Sequence, residues 1–167
     1  ANTNQIDYAG EAPLVVVRSG TPHEGVGSEG HDGATLAWSG DGGLNWHSLG
    51  RPRPTGDGPT QDGRNDLYRD AQITVSADGS TFVLATPQPM WSGDRGANWR
   101  PCQGLPLLAR PVADRKDPLL FYALDFADGG WFVSTDGARS FVRINSRGLP
   151  PNIAADRPTW RERPWPL

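Results

Sequence analysis

Cysteine is all but missing: Cys102 stands alone among 167 residues, so no disulfide can close within the chain. Histidine is scarce too, with three. His23 and His31 match no common zinc spacing and have no cysteine or third histidine beside them, so no metal is expected. No apolar run approaches the roughly 18 residues of a membrane span. No stretch keeps a clean helical period either. Charge of one sign is not in excess: a net charge of -3 gives no reason to expect nucleic acid or an anionic membrane as partner. A phosphate loop, a Ser-centred elbow and a Cys–His pair are all absent, and no cofactor is expected. The chain begins at Ala1 without Met or a leader-like stretch, as expected of a mature or excised product.

What the sequence has instead is turns and tryptophan. With 21 Gly, 16 Pro and 7 Trp, short β-rich runs alternate with Gly, Asp and Pro, which is the pattern of an all-β chain. The length suffices for one domain with a core.

One pattern recurs. Ser39-Gly40-Asp41-Gly42-Gly43-Leu44-Asn45-Trp46 and Ser92-Gly93-Asp94-Arg95-Gly96-Ala97-Asn98-Trp99 both read S-x-D-x-G-x-x-W. A third copy runs from Ser134 through Asp136 to Phe141, with Ala138 in place of Gly and Phe in place of Trp. This is the Asp-box, and its physics is local. A strand ends at the Ser, and the Asp side chain accepts backbone N–H groups of its own turn. Gly takes a conformation that a Cβ penalises, and the aromatic residue packs back on the hairpin. Asp41, Asp94 and Asp136 are therefore expected to form turns rather than to catalyse or bind calcium.

Spacings of tens of residues mark a repeat architecture. Each box fits the hairpin between the third and fourth strands of a four-stranded unit. The expected strands are 5–9, 14–18, 34–38 and 45–48, then 72–76, 81–86, 89–92 and 98–101, then 109–113, 119–124, 131–134 and 140–144. These are three antiparallel β-propeller blades, roughly 5–48, 72–101 and 109–144, in a partial propeller spanning 1–149. Ser76-Ala77-Asp78-Gly79 resembles a degenerate box in a turn between first and second strands. Three blades leave two sheet faces uncovered, so further blades or self-association are expected. Residues 150–167, with Trp160, Trp165 and many prolines, read as an extended arm.

In this topology the short turns share the box face and the long loops share the other. Segment 19–33 carries His23, Glu24, Glu29, His31 and Asp32. Segment 49–70 carries Arg51, Arg53, Asp57, Asp62, Arg64, Asp66, Tyr68, Arg69 and Asp70. Long loops on a rigid scaffold are where binding usually sits, and this mixture suits polar ligands such as sugars. The residues expected to touch ligand are Tyr68, Arg69, Asp70 and Trp91. The aromatics would stack on a sugar ring while the charged groups bond its hydroxyls.

From 72 to 149 the order of turns becomes more specific. Ile73-Thr74-Val75-Ser76-Ala77-Asp78-Gly79 precedes Met90-Trp91-Ser92-Gly93-Asp94, then Gly104-Leu105-Pro106, Asp117-Pro118, Phe121-Tyr122-Ala123 and Phe132-Val133-Ser134-Thr135-Asp136-Gly137. This order resembles the xyloglucan-active glycoside hydrolases built from two seven-bladed propellers: the endo-xyloglucanases and the oligoxyloglucan reducing-end-specific cellobiohydrolases. The resemblance covers roughly 5–149 and looks like a late part of the second propeller. It implies extracellular or periplasmic action on xyloglucan or a related β-glucan of plant cell walls. It also implies inverting hydrolysis between two Asp residues, one from each propeller, with carboxyls roughly 6.5–9.5 Å apart. Neither catalytic Asp falls on a matching motif here, so no catalytic residue is assigned. The expectation is a fragment or truncated relative of a xyloglucan-degrading hydrolase that contributes a polysaccharide-binding face. The alternative is a non-catalytic carbohydrate- or protein-binding Asp-box module. A sialidase is disfavoured because Arg143-Ile144 runs into Asn145, not Pro.

Overall fold

The computed structural model describes residues 2–11, 15–21, 35–50, 72–86, 88–107, 109–125 and 129–144. The arm expected at 150–167 and most of both long loops lie outside these residues. Every element among the described residues is a strand, in three separate four-stranded sheets. The first holds β1 (Asn2–Tyr8), β2 (Val16–Thr21), β3 (Thr35–Ser39) and β4 (His47–Gly50). The second holds β5 (Gln72–Val75), β6 (Phe82–Ala85), β7 (Met90–Ser92) and β8 (Arg100–Pro101). The third holds β9 (Arg110–Ala113), β10 (Phe121–Leu124), β11 (Trp131–Ser134) and β12 (Val142–Ile144). In each, neighbours in sequence are antiparallel neighbours in space, the meander of a propeller blade. The strands fall within a few residues of the expected ones.

The middle blade is buried on both faces because its alternation serves two neighbours. Ile73, Val75, Phe82 and Leu84 enter one cluster with Val17 and Leu36 of the first blade. Val83 points the other way, into a cluster with Phe121, Ala123, Phe132 and Phe141 of the third. The core is thus two interblade layers rather than one centre.

The first strands meet across the blades. The buried Asp7 carboxylate accepts hydrogen bonds from Thr74 Oγ1 (2.5 Å) and Val75 N–H (3.0 Å), and Thr74 Oγ1 accepts from Ala113 N–H (3.3 Å). Arg115, in the β9–β10 turn, reaches back to pair with Asp7 at 2.6 Å and to donate to the Tyr8 carbonyl at 2.7 Å. An otherwise costly buried carboxylate is in this way fully partnered.

Apolar side chains remain exposed on the outer sides of the first and third blades. On the third blade Val112, Tyr122, Val133 and Val142 pair in register, forming one row across the sheet. Of these Val112 and Val142 are 55% and 67% exposed. On the first blade Ile6 and Tyr8 flank the inward Asp7 and are exposed.

Candidate functional site

The three boxes share one hydrogen-bond scheme. Ser39, Ser92 and Ser134 are buried, and each hydroxyl donates to its Asp at 2.7, 2.7 and 2.8 Å. The same hydroxyls accept the N–H four residues on, from Gly43, Gly96 and Ala138. Each Asp then accepts the N–H and the side chain of the residue four further on: Asn45, Asn98 and Ser140. These bonds hold Asp41 down at about 2, Asn45 N–H contributing most, and Asp94 at about 2, the Asn98 side chain contributing most. For Asp136 burial opposes the shift, and the Ser140 bonds outweigh it to leave the carboxyl below its ordinary range. Each Asp thus accepts three hydrogen bonds from its own turn, which is the role of a turn-former.

The box differs from the sequence reading in two ways. The residue just before the motif Gly is also left-handed: Gly42 and Gly43, Arg95 and Gly96, Gly137 and Ala138 are consecutive positive-φ pairs. The aromatic residue does more than pack on its hairpin. Trp99 and Phe141 are buried in the layer shared with the preceding blade, whereas Trp46, on the first blade, is 38% exposed. Ser76 and Asp78 repeat the Ser-to-Asp bond (2.7 Å) in the β5–β6 turn, the place expected for the degenerate copy.

Of the residues expected to touch ligand, Tyr68, Arg69 and Asp70 lie outside the described residues, as do Asp57, Asp62 and Asp66. Trp91 is described. It sits half-buried at the box end of β7, against the layer between the second and third blades. The guanidinium carbons of Arg139 and Arg100 lie 5.0 and 5.8 Å from its ring centroid. With Pro101 and Gln103 these residues line an open depression of about 380 Å³. The sequence reading named neither arginine. Arg100 is the register partner of Trp91, so strand pairing alone could have found it. Arg139 comes from the next blade's box, and only the stacking of blades brings it there. Cys102, buried beneath this rim, has its thiol pushed up to about 12, by burial first and Asp136 second, and is no nucleophile.

No family model matches the chain. It is 30% identical over 159 residues to a xyloglucanase of a Paenibacillus species, covering 93% of this chain and 14% of that protein. It is 30% identical over 166 residues to an oligoxyloglucan-reducing end-specific xyloglucanase of Emericella nidulans, covering 90% of this chain and 20% of that one. The crystal structure of a GH74 xyloglucanase from Xanthomonas campestris superposes with a TM-score of 0.65 at 35% identity, over 83% of this chain and 18% of that one. The chain therefore spans about a seventh to a fifth of the length of these relatives. By sequence and by blade architecture alike, the chain is similar to xyloglucanases over most of its own length and matches a small part of theirs.

Proposed function

We propose that this chain forms part of a xyloglucan-degrading glycoside hydrolase and supplies a polysaccharide-binding face to it, acting outside the cytoplasm. The observation that carries the reading is the match to xyloglucanases over nine-tenths of the chain. The ligand-contacting residues are Tyr68, Arg69 and Asp70 on the long-loop side, with Trp91 a separate contact at the box end of its own blade. The catalytic carboxylates belong to other parts of such a hydrolase, since the described Asp boxes are spent on turns. Further blades or copies of the chain cover the apolar row of the third blade and the exposed Ile6 and Tyr8 of the first, because exposed faces of this kind otherwise invite association.

The test is a calorimetric titration of the chain with xyloglucan oligosaccharides, with cello-oligosaccharides as control. Selective binding of the xyloglucan series is expected. Tyr68→Ala should weaken it about tenfold, as loss of one stacking aromatic does. A folded chain that binds neither series sinks the proposal.

A further inference from the structure

We infer that the rim depression around Trp91 binds an acidic sugar, a uronate whose carboxylate is held between Arg100 and Arg139. This goes beyond the role proposed above for Trp91, since xyloglucan itself offers no such charge, and it rests on the reading of the chain as saccharide-binding.

Two exposed arginines converge on one indole from different blades. Among the described residues neither is paired with a carboxylate, unlike Arg115, which is spent on Asp7. A guanidinium set against a ring keeps its N–H edge available, and that edge matches a carboxylate in bidentate fashion. Arg139 is positioned in advance. One Nη donates to the Asp136 carbonyl at 2.5 Å, and the group lies over Gly137, where an added Cβ would stand 3.4 Å from Nη1. The Asp136 carboxylate is turned into its own box by Ser134 and Ser140 and forms no ion pair with Arg139. Gln103, exposed on the same wall, adds an amide for a hydroxyl. Two cations, one of them held in advance, with an aromatic body and an amide around an open hollow, suit a charged pyranose better than a neutral one.

The experiment titrates the whole chain with trigalacturonate, its fully methyl-esterified counterpart and inorganic sulfate, with a xyloglucan oligosaccharide in parallel. The acid should bind at least tenfold more tightly than the ester and than sulfate. Arg100→Gln and Arg139→Gln should each weaken the acid about tenfold; both side chains are exposed, so the fold should persist, as circular dichroism would verify. Equal affinity for acid and ester overturns the inference, and so does sulfate binding as tightly as the acid. Unchanged affinity in both variants overturns it as well. If xyloglucan binds while acid and ester do not differ, the inference falls and the proposed function stands. If the acid binds selectively and xyloglucan does not bind, the reverse holds.

Discussion

At the junction of the first and second blades, Trp38 is stacked by His47 from its own blade, with ring centroids 4.7 Å apart. From the next blade's box Arg95 lies 4.9 Å from its centroid. At the junction of the second and third blades, Trp91 has Arg100 in place of His47 and Arg139 in place of Arg95. The plan repeats, but the seal differs. After β8 the main chain turns straight onto the third blade: Gln103 donates to Arg139 O and accepts from Phe141 N–H, both at 2.9 Å, in a parallel bridge at Ser140. At the first junction, by contrast, Gly96 meets the side chain of Leu49. Among the described residues the backbone of Gln103 meets backbone at the second junction, whereas the box glycine of the first meets a side chain. There a backbone bond joins the blades elsewhere, from Glu11 N–H to the Ala77 carbonyl at 2.8 Å.

The largest expected effect asks whether the two layers are equally strong. Phe82 and Phe121 are both wholly buried, one in each layer. Phe82→Ala and Phe121→Ala should each lose about 3–5 kcal/mol in denaturant unfolding. Phe82 also packs tilted against Trp38, with centroids 6.1 Å apart, which adds about 0.5–1.5 kcal/mol on the first side. A single transition with similar losses would make the layers one cooperative unit. A loss confined to part of the transition would separate them.

A smaller effect tests the two seals. Gly104 has φ +75, and an added Cβ would fall 2.3 Å from the Phe141 carbonyl oxygen. Backbone cannot step aside, so Gly104→Ala should cost about 2 kcal/mol or more. Gly96 has φ +86, but the nearest obstacle is Leu49 Cδ2, the far end of a side chain that can turn. Ala138 already occupies the equivalent box position at φ 66. Gly96→Ala should therefore cost about 1 kcal/mol, near the left-handed penalty alone. Equal costs would remove the distinction between a backbone seal and a side-chain seal.

Much of this was legible in the sequence, because the box is a local object. Its Ser, Asp and Gly bond within seven residues, so pattern alone located the third-to-fourth-strand hairpins and, from them, the blades. Asn45, Asn98 and Ser140 were equally local yet left blank, although all three are small and polar at one motif position. The left-handed residue before Gly stayed hidden because Arg95 occupies it in the middle box. The sites between blades were not legible. Arg139 is far from Trp91 along the chain, Arg115 far from Asp7, and nothing in either stretch announces the partner. Tyr68, Arg69 and Asp70 follow from loop length and residue type, and they lie outside the described residues.

The smallest effect asks whether a box needs its junction at all. Asp41 belongs to a blade with no described neighbour on its box-aromatic side, where Trp46 is exposed; Asp94 belongs to one whose Trp99 is buried. Both carboxyls nevertheless stand at about 2, below the ordinary 3.8, each through its Asn and Ser bonds. A folded-state value below the unfolded one means that ionisation favours folding. Each contribution is present above about pH 4 and fades as the pH falls through about 2. Stability measured by denaturant unfolding from pH 5 down to pH 2 should therefore decline along an acid limb. Asp41→Asn and Asp94→Asn should each flatten that limb, since an amide has no proton to take up in this range. If the turn is self-sufficient, the two variants flatten it alike. A stronger effect for Asp94→Asn would mean that the packed Trp99 tightens the box from behind, and that the junction, rather than the motif, sets the carboxylate.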